Sequence, residues 1–499
     1  MGWNSWNRFR CRINEKLIRK QADALVSTGL SKLGYVYVNV DDCWQASRDS
    51  DGNIIEDFKA FPSGIKALSD YVHSKGLKFG LYSSAGTQTC EGRPGGLNHE
   101  LQDARKYSEW KIDYFKYDNC MHEGRGDKTA TKSRYGALRD ALNATGRPIN
   151  YALCSWGEVN VWEFGKELGN SWRTTLDIQD SWKSILSIIN QNENLHKYAA
   201  PGGFNDMDML EVGNGRMTQE EYRTHFSVWA ALKSPLLLGH DLTKTTRKTL
   251  EIIGNKRVIA INQDPLGRSA ILRIKYRNVF VWVGELVDGD RVLLVMNGGH
   301  KTVEVSIDMA IFAVSEKDVR ESETYLLETK DLWENNEGTS VATWRNSIVA
   351  GRIPYHSVKM YRVSRKNGKF PSLQKAGRIL EDIPITVVEY FSFVGYCSSF
   401  HRAVLILLPM GTTAGLLLSF AHHPDRTIDL PEEAKIESNQ KYVTIQQAYE
   451  LLKDDKYRRE YDQFGSFYTP SPNKSSDTRA YGSAKWDWSV QDPGTRELD

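Results

Sequence analysis

Short β-branched and aromatic runs alternate with amphipathic stretches through residues 1 to about 265. The runs lie at 35–40, 77–82, 114–117, 149–153 and 234–238, with further strand candidates at 172–177 and 205–209. The amphipathic stretches lie between them, at 13–30, 65–75, 99–110, 132–143, 181–198 and 218–233. In the first of these, Ile18, Ala22, Leu25 and Val26 fall on one helical face, and Gly29 ends the pattern. A strand that recurs after each helix must run parallel to the one before it, because the helix carries the chain back to the same edge. Repeated over roughly 250 residues, this closes into a (β/α)8 TIM-type barrel, here 1–267, of the α/β class. A doubly wound open sheet is the other solution, but no glycine-rich dinucleotide turn follows the first strand.

Beyond residue 270 the period changes to two. The runs 279–283 and 291–295 are joined through Asp288-Gly289, a hairpin turn pair. They predict a small antiparallel β-sandwich domain over 268–364, followed by a linker at 365–402. Residues 403–421 are 19 consecutive uncharged positions, long enough for a membrane span or membrane contact, although Pro409 and two glycines weaken a helix there. A charged helical segment over 422–466 and a polar, disordered tail over 467–499 complete the chain. The opening residues, with Arg8, Arg10 and Arg12 and no apolar run, do not read as a signal peptide. Lys+Arg 65 against Asp+Glu 63 leaves a formal charge of +2, which argues against a nucleic-acid partner. The six cysteines are too few for a disulfide scaffold and lack zinc-like spacing, so no metal is expected.

In a barrel of this kind the chemistry sits where strands end and βα loops begin. Here strand candidates end in Asp41-Asp42-Cys43-Trp44, Lys116-Tyr117-Asp118-Asn119-Cys120, Arg173-Thr174-Thr175-Leu176-Asp177 and Asn205-Asp206-Met207-Asp208-Met209. One such aspartate is as well explained as a helix N-cap. Four on different strands imply a ring of carboxylates, with Lys116, Arg173, Trp6, Trp44 and Trp156 nearby. Carboxylates accept hydrogen bonds from hydroxyls and aromatic rings cover an apolar sugar face, so the ring suits a carbohydrate.

These motifs, with Met1-Gly2-Trp3-Asn4-Ser5-Trp6, Gly202-Gly203-Phe204 and Ile261-Asn262-Gln263-Asp264, resemble the α-galactosidases of glycoside hydrolase family 27 from residue 1 to about 363. The resemblance implies a retaining hydrolase that needs no cofactor and releases terminal α-linked D-galactose from oligosaccharides, glycolipids or glycoproteins. It implies Asp118 as nucleophile and Asp177 as general acid/base, roughly 5 Å apart. It implies sugar contacts from Trp6, Asp41, Asp42, Tyr82, Lys116, Cys154, Ser155, Trp156, Arg173, Asp208 and Met209. It also implies disulfides Cys11–Cys43 and Cys90–Cys120, with Cys154 free, a homodimer, and a secreted, lysosomal or vacuolar location.

The chain departs from the family pattern at four positions. Ser155 stands where Glu or Asn is common near carbon 2 of the sugar, which opens an α-N-acetylgalactosaminidase alternative. Ser84 replaces a usual Asp, and Phe204 and Met207 replace Trp and Pro. The chain also starts inside its first barrel strand, which predicts an open, poorly stable edge. His99 and His240 have no evident partner. Asn143-Ala144-Thr145 and Asn473-Lys474-Ser475 are glycosylation sequons. In the tail, His423-Pro424-Asp425-Arg426 and the helical motifs 445–452 and 457–465 are similar to the second half of a DnaJ-type J domain, without the basic helix that should precede it. That resemblance implies an Hsp70-type chaperone partner met through His423, Pro424 and Asp425. The two ways to read it are a membrane-tethered co-chaperone with an inert barrel, or a join between two coding regions.

Overall fold

The computed structural model describes residues 1–322, 324–334, 343–344, 347–373, 385–390 and 403–404. Eight parallel strands build its first part: β1 (Gly2–Asn4), β2 (Tyr37–Asn39), β3 (Lys78–Ser84), β4 (Tyr114–Asp118), β5 (Asn150–Cys154), β6 (Ser171–Arg173), β7 (Phe204–Asp206) and β8 (Leu237–Leu238). They pair in the order β8-β1-β2-β3-β4-β5-β6-β7. The seam between β7 and β8 is closed by one residue. Leu210 N donates to Leu237 O at 2.7 Å, and Gly239 N donates to Leu210 O at 3.0 Å. The fold is therefore the (β/α)8 barrel of the sequence reading.

Helices α1 (Glu15–Ser27), α2 (Gly64–Ser74), α3 (Glu100–Glu109), α4 (Lys128–Ala144), α5 (Trp182–Gln191), α6 (Gln219–Ala231), α7 (Arg247–Ile253) and α8 (Lys256–Asn262) alternate with the strands. Their starts are set locally. The Asn14 side chain accepts from Leu17 N at the head of α1, and Thr218 with Glu221 forms a reciprocal capping box at the head of α6. Only short helical turns, Glu158–Glu163 and Gly165–Leu168, follow β5.

The open edge predicted at the first strand does not form. Gly2 lies opposite both Leu237 and Tyr37, and Trp3 opposite both Leu238 and Val38. Three residues suffice because Trp3 is fully buried and its indole donates to His240 O at 2.8 Å. His240 also has a side-chain partner, Thr245 Oγ1 at 2.9 Å from Nε2.

The second part is antiparallel: β9 (Ile271–Tyr276), β10 (Val279–Glu285), β11 (Arg291–Asn297), β12 (Thr302–Asp308), β13 (Leu327–Asp331), β14 (Ser347–Ile353), β15 (Val358–Arg365) and β16 (Ile385–Tyr390). One sheet runs β9-β10-β11-β15-β13, and β12 pairs with β14 and β16 in the other. Val281, Leu293, Val295, Val305, Ile307 and Val363 fill the space between them. The stretch expected as a linker contributes to this domain. Residues 385–390 form a strand on β12, and Phe370 and Leu373 are buried in the sandwich core. The sheet offers these apolar residues cover that a linker in water would not.

No helix among the described residues is long and apolar enough to cross a membrane. The apolar segment beyond Val404, the J-domain-like residues with His423, Pro424 and Asp425, and the tail with Asn473 lie outside the described residues. Asn143 is exposed at the last turn of α4.

Candidate active site

Parallel pairing brings strand ends to one rim of the barrel. Asp118 ends β4 beside Ser84 of β3 and Cys154 of β5, and Arg173 ends β6 beside Asp206 of β7. Asp118 is buried. One carboxylate oxygen accepts from Tyr82 Oη at 3.1 Å and the other from Asn119 N at 3.0 Å. Burial raises its carboxyl to about 6; Lys116 works against the rise and the Asp177 charge adds to it.

Two cations, the half-buried Lys116 and the buried Arg173, organise the acids. Lys116 Nζ lies 3.0 Å from Asp41 Oδ2 and 5.1 Å from the centre of the Tyr82 ring. The same Asp41 oxygen accepts from Asn4 Nδ2 at 2.8 Å. Burial disfavours the Lys116 ammonium, but Asp41, Asp118 and Asp177 outweigh it and hold the proton. Arg173 reaches Asp208 at 2.7 Å, Asp177 at 3.0 Å and the Cys154 sulfur at 3.5 Å. Asp177 differs from the other acids in being 63% exposed. Partial burial pushes its carboxyl up, but Arg173 and then Lys116 prevail and leave it below the ordinary aspartate value. Asp208 has a left-handed backbone, φ 80°, which turns its carboxylate to accept from Met209 N at 2.7 Å and Ile178 N at 2.8 Å.

A narrow cavity is lined by Lys116, Cys154, Arg173, Asp206, Asp208 and Met209, among others. Trp6 packs on the apolar layer of Tyr114, Ala152, Met209 and Leu237 inside the barrel. Disulfides join Cys11 to Cys43 and Cys90 to Cys120; Cys154 is a free, buried thiol whose ionisation burial suppresses. Cys90, Asp118 and Cys120 come together, but the two sulfurs are bonded to each other and leave no thiolate for a metal.

Several residues sit elsewhere than their motif suggests. Trp44 is fully buried among Tyr107 and Trp110 and donates to Tyr82 O, so it supports β3 from behind rather than covering a sugar. Asp42 accepts from Cys43 N with one oxygen and from Glu91 N with the other, which holds its loop. Ser155 is fully buried and its hydroxyl has no partner among the described residues. Ser84 is also buried and donates to Cys120 O. Met207 packs in the core. Trp156 is half-buried with φ 52°.

Two supports escaped the sequence reading. Asn4 shares Asp41 with Lys116. Arg134, buried in α4, donates to Ala85 O and Asn119 Oδ1, and Asn119 Nδ2 donates to Glu158 Oε2. Asn4 stands inside the first motif and could have been found there; Arg134 carries no local signal.

Residues 1–264 match the family profile described as α-galactosidase A, and 277–363 match the α-galactosidase C-terminal β-sandwich domain. Among relatives, α-galactosidase 2 of Arabidopsis thaliana is 46% identical over 368 residues, spanning 73% of this chain and 89% of its own. The crystal structure of α-galactosidase I from Mortierella vinacea superposes with TM-score 0.70 at 39% identity, covering 74% of this chain and 98% of that one. The Saccharomyces cerevisiae α-galactosidase solved with raffinose gives TM-score 0.67 at 31% identity, covering 73% and 97%. With barrel, sandwich and carboxylate rim all in the matched span, the chain belongs to the α-galactosidases of glycoside hydrolase family 27 and is a galactose-releasing hydrolase.

Proposed function

We propose that the chain hydrolyses terminal α-D-galactosides with retention, through a covalent galactosyl-Asp118 intermediate, with Asp177 as general acid and then general base. The observation that carries this is the contrast between the two carboxyls. Asp118 is buried and fixed by Tyr82 and Asn119, as an attacking atom that must meet one sugar carbon requires. Asp177 is 63% exposed, as a group that must meet both the departing aglycone and an incoming water requires.

In the first step an Asp118 oxygen bonds to the anomeric carbon while the aglycone oxygen leaves with the Asp177 proton. In the second, Asp177 takes a proton from water, whose oxygen displaces Asp118. Lys116, Asp41, Arg173 and Asp208 hold the hydroxyls, and Trp6 covers the sugar face. We read 1–267 as the catalytic barrel and the sandwich as its companion domain. Passage through an oxidising compartment fits the two disulfides. The 46% identity to a plant α-galactosidase favours galactose over N-acetylgalactosamine.

The test is intact mass spectrometry of two variants with an activated galactoside such as a nitrophenyl glycoside. Asp177→Ala should accumulate a galactosyl-enzyme that azide releases, with turnover down about 100-fold to 10,000-fold. Asp118→Ala should form no adduct. An adduct on Asp118→Ala and none on Asp177→Ala would reverse the two roles.

A further inference from the structure

We propose that Glu211 is a positioning residue for the sugar-stacking Trp6, acting through Asn7 across the seam where the barrel closes; the proposal rests on the galactosidase reading above. Glu211 follows β7 and is 4% exposed. Its carboxylate is held by amides. Asn7 Nδ2 donates to Oε1 at 2.7 Å, and Asn214 Nδ2 donates to Oε2 at 2.5 Å. Its charged neighbours are Asp180 and Asp208, both acidic. A buried carboxyl with amide partners and acidic neighbours is costly in a core, and such groups concentrate where geometry must be held for function.

The geometry names what is held. Asn7 follows Trp6 on the helical turn Trp6–Phe9, and Trp6 packs on the apolar layer that contains Met209, two residues before Glu211. The backbone beneath is the weakest pairing of the barrel, where Leu210 alone bridges β7 to β8. Gly239 lets Asn7 lie flat against this seam, since a Cβ there would stand 3.0 Å from both Asn7 Cβ and Leu210 O. Asn214 Nδ2 also reaches Gly239 O at 3.4 Å. The Glu211 side chain thus ties the loops after β1, β7 and β8 together directly beside the stacking ring. Losing the tie leaves the ring on its apolar bed but frees its angle over the sugar, which weakens binding and leaves Asp118 and Asp177 untouched.

The experiment measures kcat and KM on a nitrophenyl α-galactoside for wild type, Asn7→Ala, Glu211→Ala, Glu211→Gln and the Asn7→Ala/Glu211→Ala double variant. Asn7→Ala and Glu211→Ala should each raise KM by about 5–10-fold, the worth of one buried hydrogen bond, with kcat within about twofold. Glu211→Gln should fall between wild type and Glu211→Ala, because it keeps one acceptor. The double variant should be no worse than Glu211→Ala, as for two ends of one contact. If Glu211→Ala does not fold, Asn7→Ala and Glu211→Gln decide. An unchanged KM in Asn7→Ala, or a loss confined to kcat, overturns the inference while an active wild type leaves the galactosidase reading standing. A wild type without turnover overturns both.

Discussion

At the scale of single residues, burial and the neighbouring cations favour the proton on Asp118 rather than on Asp177, the opposite of what the proposed first step needs. Burial lifts the Asp118 carboxyl to about 6, whereas Arg173 holds Asp177 low. The mechanism needs the reverse, an ionised Asp118 and a protonated Asp177. The competent form is therefore one arrangement of a pair that carries a single proton. That proton is present from the lowered Asp177 range up to about 6 and is lost above it. We expect kcat/KM to peak in this acidic window and to fall about tenfold per pH unit beyond the upper limb; a profile level from pH 5 to 8 would contradict this. The two aspartates proposed for the chemistry were legible in the sequence because Asp118 closes β4 and Asp177 follows the end of β6, each within a short motif. Glu211 was not, because its meaning depends on Asn7, which lies 204 positions away. Trp44 misled for a related reason. A tryptophan beside paired aspartates looks like a sugar platform, and only the packing of Tyr107 and Trp110 turns it inward.

At the scale of elements, the loop after β5 carries two constraints at once. Gly157 has φ 81°, and a Cβ there would lie 2.2 Å from Thr174 O, in the loop that leads to Asp177. Gly157→Ala should therefore cost about 1–3 kcal/mol of stability and reduce kcat, read by thermal melting and steady-state kinetics. The β domain makes a second prediction. A chain cut after Ser364 loses Phe370 and Leu373, each worth about 1.5–3 kcal/mol when buried, and the six-residue ladder of β16 on β12. It should melt several degrees lower than a chain cut after Tyr390, which should keep full activity; equal melting of the two would show the added strand to be dispensable. The run Ile385-Thr386-Val387-Val388-Glu389-Tyr390 has strand composition. Its partner β12 lies some 80 residues earlier, beyond several intervening strands, so no local pattern gives the run a place. The hairpin at Asp288-Gly289 was legible for the opposite reason, since its two strands are neighbours in sequence.

For the whole molecule, the parallel alternation predicted the barrel because its span of about 260 residues suits closure and no glycine-rich dinucleotide turn marked a doubly wound sheet. The closure itself has a cost in time. β1 is the first strand made, and it pairs with β8, more than 200 residues later. At typical synthesis speeds of 5–20 residues per second, the first strand emerges roughly 10–50 s before that partner exists. During that interval Trp3 and its neighbours lack their partner strand on one side. Nascent chains arrested before residue 237 should be cleaved rapidly by added protease, and released full-length chains should resist it. The slow step in making this enzyme would then be the wait for its own far edge, and rare codons placed between the two strands would lengthen that exposure without altering a single contact in the finished barrel.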